Sequence, residues 1–275
     1  MTNHDLRPVL VALALSATTV ALPASTAAQG GTVPHQVRTT KFTITDVDTS
    51  KAFYEGLVGL TEVNRYEAGG LVEPFMGFSA AGGRIGLLHF AEQETIEKSA
   101  LPVSVLTVPD LDPVIARFTA AHHPVQEYSG DTTGGVRIAI ARDPSGNAIE
   151  IVEQDGPPRV AGARLIVADR AASEAFFVRV FGVKPGQRIQ TDTFDEVFFD
   201  FDGGMFVALY EPKDKDQAAF PRSDQPVVAI YSSDFDAVRE RVRAGGLRVR
   251  EFGAEMFLAN DPSGNVVEVV RRQAP

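Results

Sequence analysis

The chain has 275 residues, near the length of two average domains, and 44% hydrophobic against 23% charged residues supplies apolar material for two cores. A formal charge of −10 without any basic run speaks against a nucleic-acid partner, and the acidity reads as a solubility feature. The absence of cysteine excludes disulfides, thiol catalysis, thiolate metal ligands and a lipoprotein anchor.

Residues 1–28 read as a secretory signal peptide: Arg7 gives a positive start, residues 8–23 are almost wholly apolar or small, and Thr26-Ala27-Ala28 offers a cleavage site. The apolar run is shorter than the ~20 residues that cross a bilayer. Export to the periplasm or medium, with no membrane attachment after cleavage, is the expectation. Residues 29–36 form a Gly/Thr/Pro linker.

A strand containing Phe42-Thr43-Ile44-Thr45-Asp46 comes next, then a helix with Ala52-Phe53-Tyr54 that ends near Gly59. Runs at 75–78 and 84–90 are bounded by Gly and read as strands. A weaker copy follows: a strand ending at Asp110, a helix over 111–121, and strands at 136–141 and 148–152. His122 and His123 close that helix. Gln154-Asp155-Gly156-Pro157-Pro158 carries the strongest breaker signal and separates the halves, giving units at 37–154 and 159–275 with a linker at 155–158.

The second half repeats the first. Leu165-Ile166-Val167-Ala168-Asp169 leads into a helix with Ala175-Phe176-Phe177 and a following Gly182, a residue suited to a left-handed helix stop. Strands at 197–201 and 205–210 follow. Val228 to Asp234 then opens a fourth copy, with a helix over 235–244 and strands at 248–252, 256–258 and 266–270. Two strings close the halves: Asp143-Pro144-Ser145-Gly146-Asn147-Ala148-Ile149-Glu150 and Asp261-Pro262-Ser263-Gly264-Asn265-Val266-Val267-Glu268, 118 residues apart. Asp, Pro, Gly and Asn in this order make a tight hairpin, and alternation puts each glutamate opposite its aliphatic neighbours. The chain is therefore an α+β protein of four βαβββ units.

These units, the strand-Asp-helix-Phe-Tyr opening and the Asp-Pro-x-Gly-Asn-x-x-Glu close resemble the vicinal oxygen chelate superfamily, which includes glyoxalase I, extradiol dioxygenases and bleomycin-resistance proteins. The resemblance covers about 240 residues. It implies two tandem domains whose mixed sheets curl around concave pockets, and a divalent metal held by a His or Gln on a first strand and a Glu on a final strand. Family spacing puts Thr39, Val103, Gly162 and Val227 at the first-strand positions, with Gly86 and Val207 near the remaining final-strand ones. None is a usual ligand. Glu150 and Glu268 alone match, so no metal is expected, and a divalent ion on Glu150 with His89 is the alternative if the strand over 84–90 slips in register.

Strand phase assigns Phe42 and Ile44 to the helix side and Thr39, Lys41 and Thr43 to the concave side; Arg164 takes the corresponding place in the second half. Lys41 is expected to pair with Glu150, and Arg164 with Glu268, an organic cation standing where metal would be. Tyr231 shares the concave face and can position a ligand or move a proton. Phe194, Phe198, Phe199, Phe201 and Phe206 line either a pocket or an interdomain contact. The candidate ligand-binding set is Thr39, Lys41, Thr43, Glu150, Arg164, Tyr231 and Glu268, with no catalytic residue assigned. The expectation is an exported glyoxalase-like protein with degenerate metal sites that binds, or acts without metal on, a small organic ligand. A metal-dependent lyase, isomerase or dioxygenase and a non-catalytic interaction scaffold are the rival readings, and the family's exchange of units between domains or chains leaves open which units pair in space and whether the chain forms a homodimer.

Overall fold

A computed structural model describes residues 34–92, 98–99, 101–133, 135–219 and 222–272; the signal-peptide reading lies outside them. The first unit comprises β1 (His35–Thr43), α1 (Val47–Phe53), β2 (Thr61–Ala68), β3 (Leu71–Gly77) and β4 (Arg84–Phe90). The second has β5 (Ser104–Val108), α2 (Asp112–Ala120), β6 (Val125–Tyr128), β7 (Ile138–Arg142) and β8 (Ala148–Glu153). The third has β9 (Arg159–Ile166), α3 (Arg170–Phe181), β10 (Arg188–Gln190), β11 (Phe194–Asp200) and β12 (Phe206–Pro212), followed by a short α4 (Lys215–Ala218). The fourth has β13 (Pro226–Ser232), α5 (Phe235–Ala244), β14 (Val249–Phe252), β15 (Met256–Asn260) and β16 (Val266–Arg271). Four βαβββ units of an α+β fold are present, as the repeats predict.

The helix boundaries follow from local chemistry. The Asp46 and Asp169 side chains cap α1 and α3 by accepting from the amides of Thr49 and Ala172. Gly59 (φ 91°) and Gly182 (φ 67°) stop the helical segments in the left-handed region, which costs a residue without Cβ nothing. The helices cover the outer face of the sheets, where Phe42, Ile44, Leu87, Val167, Phe177 and Phe199 join one continuous core.

Strand order assigns the units to two open sheets: β14-β15-β16-β13-β1-β4-β3-β2 and β10-β11-β12-β9-β5-β8-β7-β6. The first sheet joins units one and four through the antiparallel β1–β13 pair, and the second joins units two and three through β5–β9. Each sheet thus draws one unit from each half of the sequence. The central strands β1, β5, β9 and β13 are buried along most of their length, so the two halves complete each other's cores.

The repeated hairpins tie the two sheets together. At the first, Asp143 accepts from the amides of Ser145 and Asn147, from Asn147 Nδ2 and from the Tyr54 hydroxyl. Asn147 Nδ2 also reaches the Thr43 carbonyl, and Ser145 Oγ accepts from the Thr45 amide. A hairpin of the second sheet therefore caps the end of β1 in the first. Asp261, Asn265 and Ser263 do the same in reverse, reaching Ser173, the Ile166 carbonyl and the Ala168 amide beside β9. Burial pushes both hairpin aspartates above the ordinary carboxylate range, with the Asn147 and Asn265 bonds opposing.

Candidate functional site

Residues directly opposite across neighbouring strands share a face, so the registers define each concave floor. In the first sheet Lys41 faces Gly86, Phe75 faces Gly86, Thr39 faces both Arg84 and Ala229, and Ala229 faces Glu268. In the second sheet Arg164 faces Ala208, Phe198 faces Ala208, Gly162 faces both Phe206 and Val105, and Val105 faces Glu150. The floors match position for position.

A carboxylate–cation–carboxylate triad occupies each floor. Lys41 Nζ donates to Glu268 Oε2 at 2.8 Å and lies 3.0 Å from Glu73 Oε1. The second contact is ionic rather than well directed, since Glu73 Oε1 has no hydrogen-bond partner. A Cβ on Gly86 would stand 2.3 Å from that oxygen, so the missing side chain at residue 86 is what admits the Glu73 carboxylate. Arg164 donates from Nη1 to Glu150 Oε2 at 2.9 Å and from Nε to Glu196 Oε1 at 2.7 Å. All six charged residues are buried.

Burial works against the Lys41 ammonium, but Glu268 and Glu73 more than offset it and hold its pKa above the ordinary value. Arg164 is held high in the same way by Glu150 and Glu196. Burial pushes Glu73 and Glu196 up, opposed by the neighbouring cation and reinforced by the second carboxylate of each triad.

The pairing expected from the sequence is exchanged: Lys41 meets Glu268, not Glu150, and Arg164 meets Glu150, not Glu268. The cause is topological, because β13 and β16 complete the sheet of β1 while β5 and β8 complete that of β9. Glu73 and Glu196 complete the triads and were absent from the sequence reading. Pro74 hides the strand character of Glu73, yet both sit in a Glu-x-Phe string, Glu73-Pro74-Phe75 and Glu196-Val197-Phe198, that repeats at the same register. Val207 is corrected too: it packs in the helix-side core, and Ala208 takes the floor position.

Thr39 and Tyr231 lie on the first floor as expected. The Tyr231 hydroxyl contacts Thr39 Oγ1 at 3.4 Å and accepts from Arg84 Nη2 at 3.1 Å. Thr43 does not join them. It sits at the end of β1, where its carbonyl takes Lys98 Nζ and Asn147 Nδ2. There it borders a cleft of about 90 Å³ between the sheets, lined in near-symmetric pairs by Lys98 and Arg222, and by Asn147 and Asn265. His89 alternates with the floor residues, in phase with the helix-side Ile85 and Leu87, and belongs to the first sheet whereas Glu150 belongs to the second. A metal pair of His89 with Glu150 is therefore not assembled.

The two concave faces differ above their floors. The second is filled by an apolar cluster that includes Leu101, Ile138, Phe194, Phe198, Phe206 and Tyr210. Phe194 stacks on Tyr210 at 4.7 Å, Arg164 lies 5.4 Å from the Tyr210 ring, and the Phe206 ring lies over Gly162, where a Cβ would fall 2.2 Å from it. The space left is about 20 Å³, room for roughly one water. Of the five phenylalanines singled out, Phe194, Phe198 and Phe206 fill this face, while Phe199 and Phe201 pack against Phe177 and Phe181 on the helix side. The first face instead carries Arg84, Thr39 and Tyr231, and its outer strands expose Tyr66 (52%) and Phe252 (51%).

The divalent ion implied by the family pattern does not fit either floor. A cationic side chain stands between the two carboxylates, and the flanking positions are Gly86 and Ala229, or Ala208 and Val105, which offer no donor. Among the described residues no group of three or more His, Asp or Glu is arranged to hold a metal.

The fold is similar to that of glyoxalase I from Zea mays, with a TM-score of 0.70 and 17% identity over 86% of this chain and 92% of that one. It is also similar to a candidate dioxygenase from Bacillus subtilis, with a TM-score of 0.59 and 15% identity over 86% and 84% of the two chains. At such identities the likeness is one of fold. No curated protein sequence matches the chain. The model of the Glyoxalase/Bleomycin resistance protein/Dioxygenase superfamily matches residues 35–151 and 159–269, and the chain belongs to that superfamily.

Proposed function

We propose that this protein is an exported small-molecule-binding member of its superfamily, that its ligand site is the concave face of the first sheet, and that it works without a metal ion. The observation that carries the reading is the contrast between two faces built on one register. The second face is packed with phenylalanine and tyrosine down to about 20 Å³. The first keeps a few polar groups, Arg84, Thr39 and Tyr231, above the buried Lys41 triad, beside half-exposed aromatic residues on its outer strands. Apolar walls with a few fixed polar groups describe an organic-ligand site. The second sheet then serves as a core that holds the first sheet in shape, and the apolar N-terminal run serves export.

Lys41 supports the metal-free part of this reading. Its ammonium neutralises Glu268 and Glu73 at the place a divalent ion would take, so an entering ion would have to expel a buried, paired cation. Elemental analysis of protein purified without chelator tests it. Substoichiometric metal, and a melting temperature and ligand affinity unchanged by EDTA, are expected; stoichiometric Zn, Ni, Fe or Mn would overturn it.

A further inference from the structure

The matched registers allow the two floors to be compared as a control experiment within one chain. Two residues before each central pair, Thr39 faces Arg84 in the first sheet and Gly162 faces Phe206 in the second. Both sheets carry the same triad, and the second keeps its triad buried with a phenylalanine at the Arg84 position. The triad therefore does not need a second cation there. Glu73, the carboxylate whose charge interacts with Arg84, spends its contact on Lys41.

Arg84 is held by neutral groups. Its Nε donates to Thr39 Oγ1 at 3.1 Å, its Nη2 donates to the Tyr231 hydroxyl at 3.1 Å, and its guanidinium lies 4.5 Å from the centre of the Phe75 ring. Among the described residues no carboxylate comes within ion-pair distance of it, and both Nη1 hydrogens and one on Nη2 stay unused. Arg84 is partly accessible at the concave face. A guanidinium fixed by a hydroxyl pair and a ring, with one edge left free, matches the planar two-point geometry of a carboxylate.

We propose that the first concave face takes an organic acid, with Arg84 binding its carboxylate and the apolar body lying along the concave wall. The inference rests on the reading of that face as the ligand site. Thr39 and Tyr231 act as positioning residues that aim the free edge of the guanidinium. In the second sheet, Phe206 and Gly162 replace this anchor with packing.

The test titrates the full protein with benzoate, 2-naphthoate and octanoate, each paired with its neutral primary amide. The chain contains no tryptophan, so naphthalene fluorescence is read without that background. At least one acid is expected to bind wild type roughly ten- to a hundredfold more tightly than its amide. Arg84→Gln should abolish that preference without changing the circular dichroism spectrum, and Arg243→Gln, an exposed charge elsewhere, should preserve it. Equal binding of acid and amide by wild type, or a preference that survives Arg84→Gln, overturns the organic-acid assignment and leaves the ligand site standing. Binding of none of the six compounds overturns both. If Arg84→Gln does not fold, the Arg84 Nε–H resonance of wild type decides: a shift on adding the acid and not the amide supports the anchor, and no shift overturns it.

Discussion

Lys41 shows how one buried charge can be tolerated only in company. An ammonium removed from water loses several kcal/mol of hydration, and here two carboxylates at 2.8 and 3.0 Å replace the solvent. The pair is weak evidence for net stability, but its disruption is costly, because both glutamates would remain buried without a counter-charge. Lys41→Met is therefore expected to destabilise the protein by about 3–5 kcal/mol. Adding Glu73→Gln and Glu268→Gln to that variant should recover most of the loss, since no net charge would then be buried. Urea denaturation at neutral pH measures both, and a cost below about 1 kcal/mol for Lys41→Met would show the triad to be hydrated. The glutamates of the repeated hairpin strings could be found from alternation alone. Glu73 and Glu196 were not, because they lie outside those strings and Pro74 interrupts the strand pattern around Glu73.

At the scale of elements, the same alternation located the inner strands and missed outer ones. β2 is largely exposed on both faces and β10 has only three residues, so neither shows the apolar period that marks a half-buried strand. The repeated Asp-Pro-Ser-Gly-Asn hairpins were legible as turns, while their second role, capping β1 and β9 across the boundary between sheets, is a tertiary property. Another such junction lies at the start of β1. His35 pairs through Nδ1 with Ser232 Oγ of β13 at 2.9 Å and packs edge-on against Phe181 of α3 at 5.5 Å. Burial pushes its pKa from 6.5 down to about 4, with Asp234 opposing. Above pH 6.5 both folded and unfolded chains carry a neutral imidazole; below it the unfolded chain gains a proton that the folded one refuses until about pH 4. Stability should therefore fall over this window, by about 2 kcal/mol at pH 5 relative to pH 7.5 from this residue. The buried acids with raised pKa, Glu73 and Glu196 among them, work in the opposite sense, so the difference between wild type and His35→Gln isolates the histidine. Equal pH dependence in the two proteins would rule the junction out as the cause.

Across the whole molecule, each half of the sequence supplies half of both sheets, and the connection at residues 154–158 runs between them on the surface. A single proteolytic cut near Asp155-Gly156 should leave the fragments together, because the β1–β13 and β5–β9 pairs cross between the halves. Size-exclusion chromatography of the nicked protein is expected to show one species of unchanged radius that separates in urea. Separation in native buffer would contradict the interleaved assembly. The sequence by itself determined the four units, their helices and caps, the hairpins, and the floor positions of Lys41, Arg164, Glu150 and Glu268, since each of these depends on local periodicity and turn chemistry. Only the tertiary structure decided which cation met which carboxylate, that Glu73 and Glu196 completed the triads, and that one concave face was filled while the other presented Arg84. Those outcomes depend on which unit pairs with which, and strand pairing between units from different halves leaves no periodic trace in either segment.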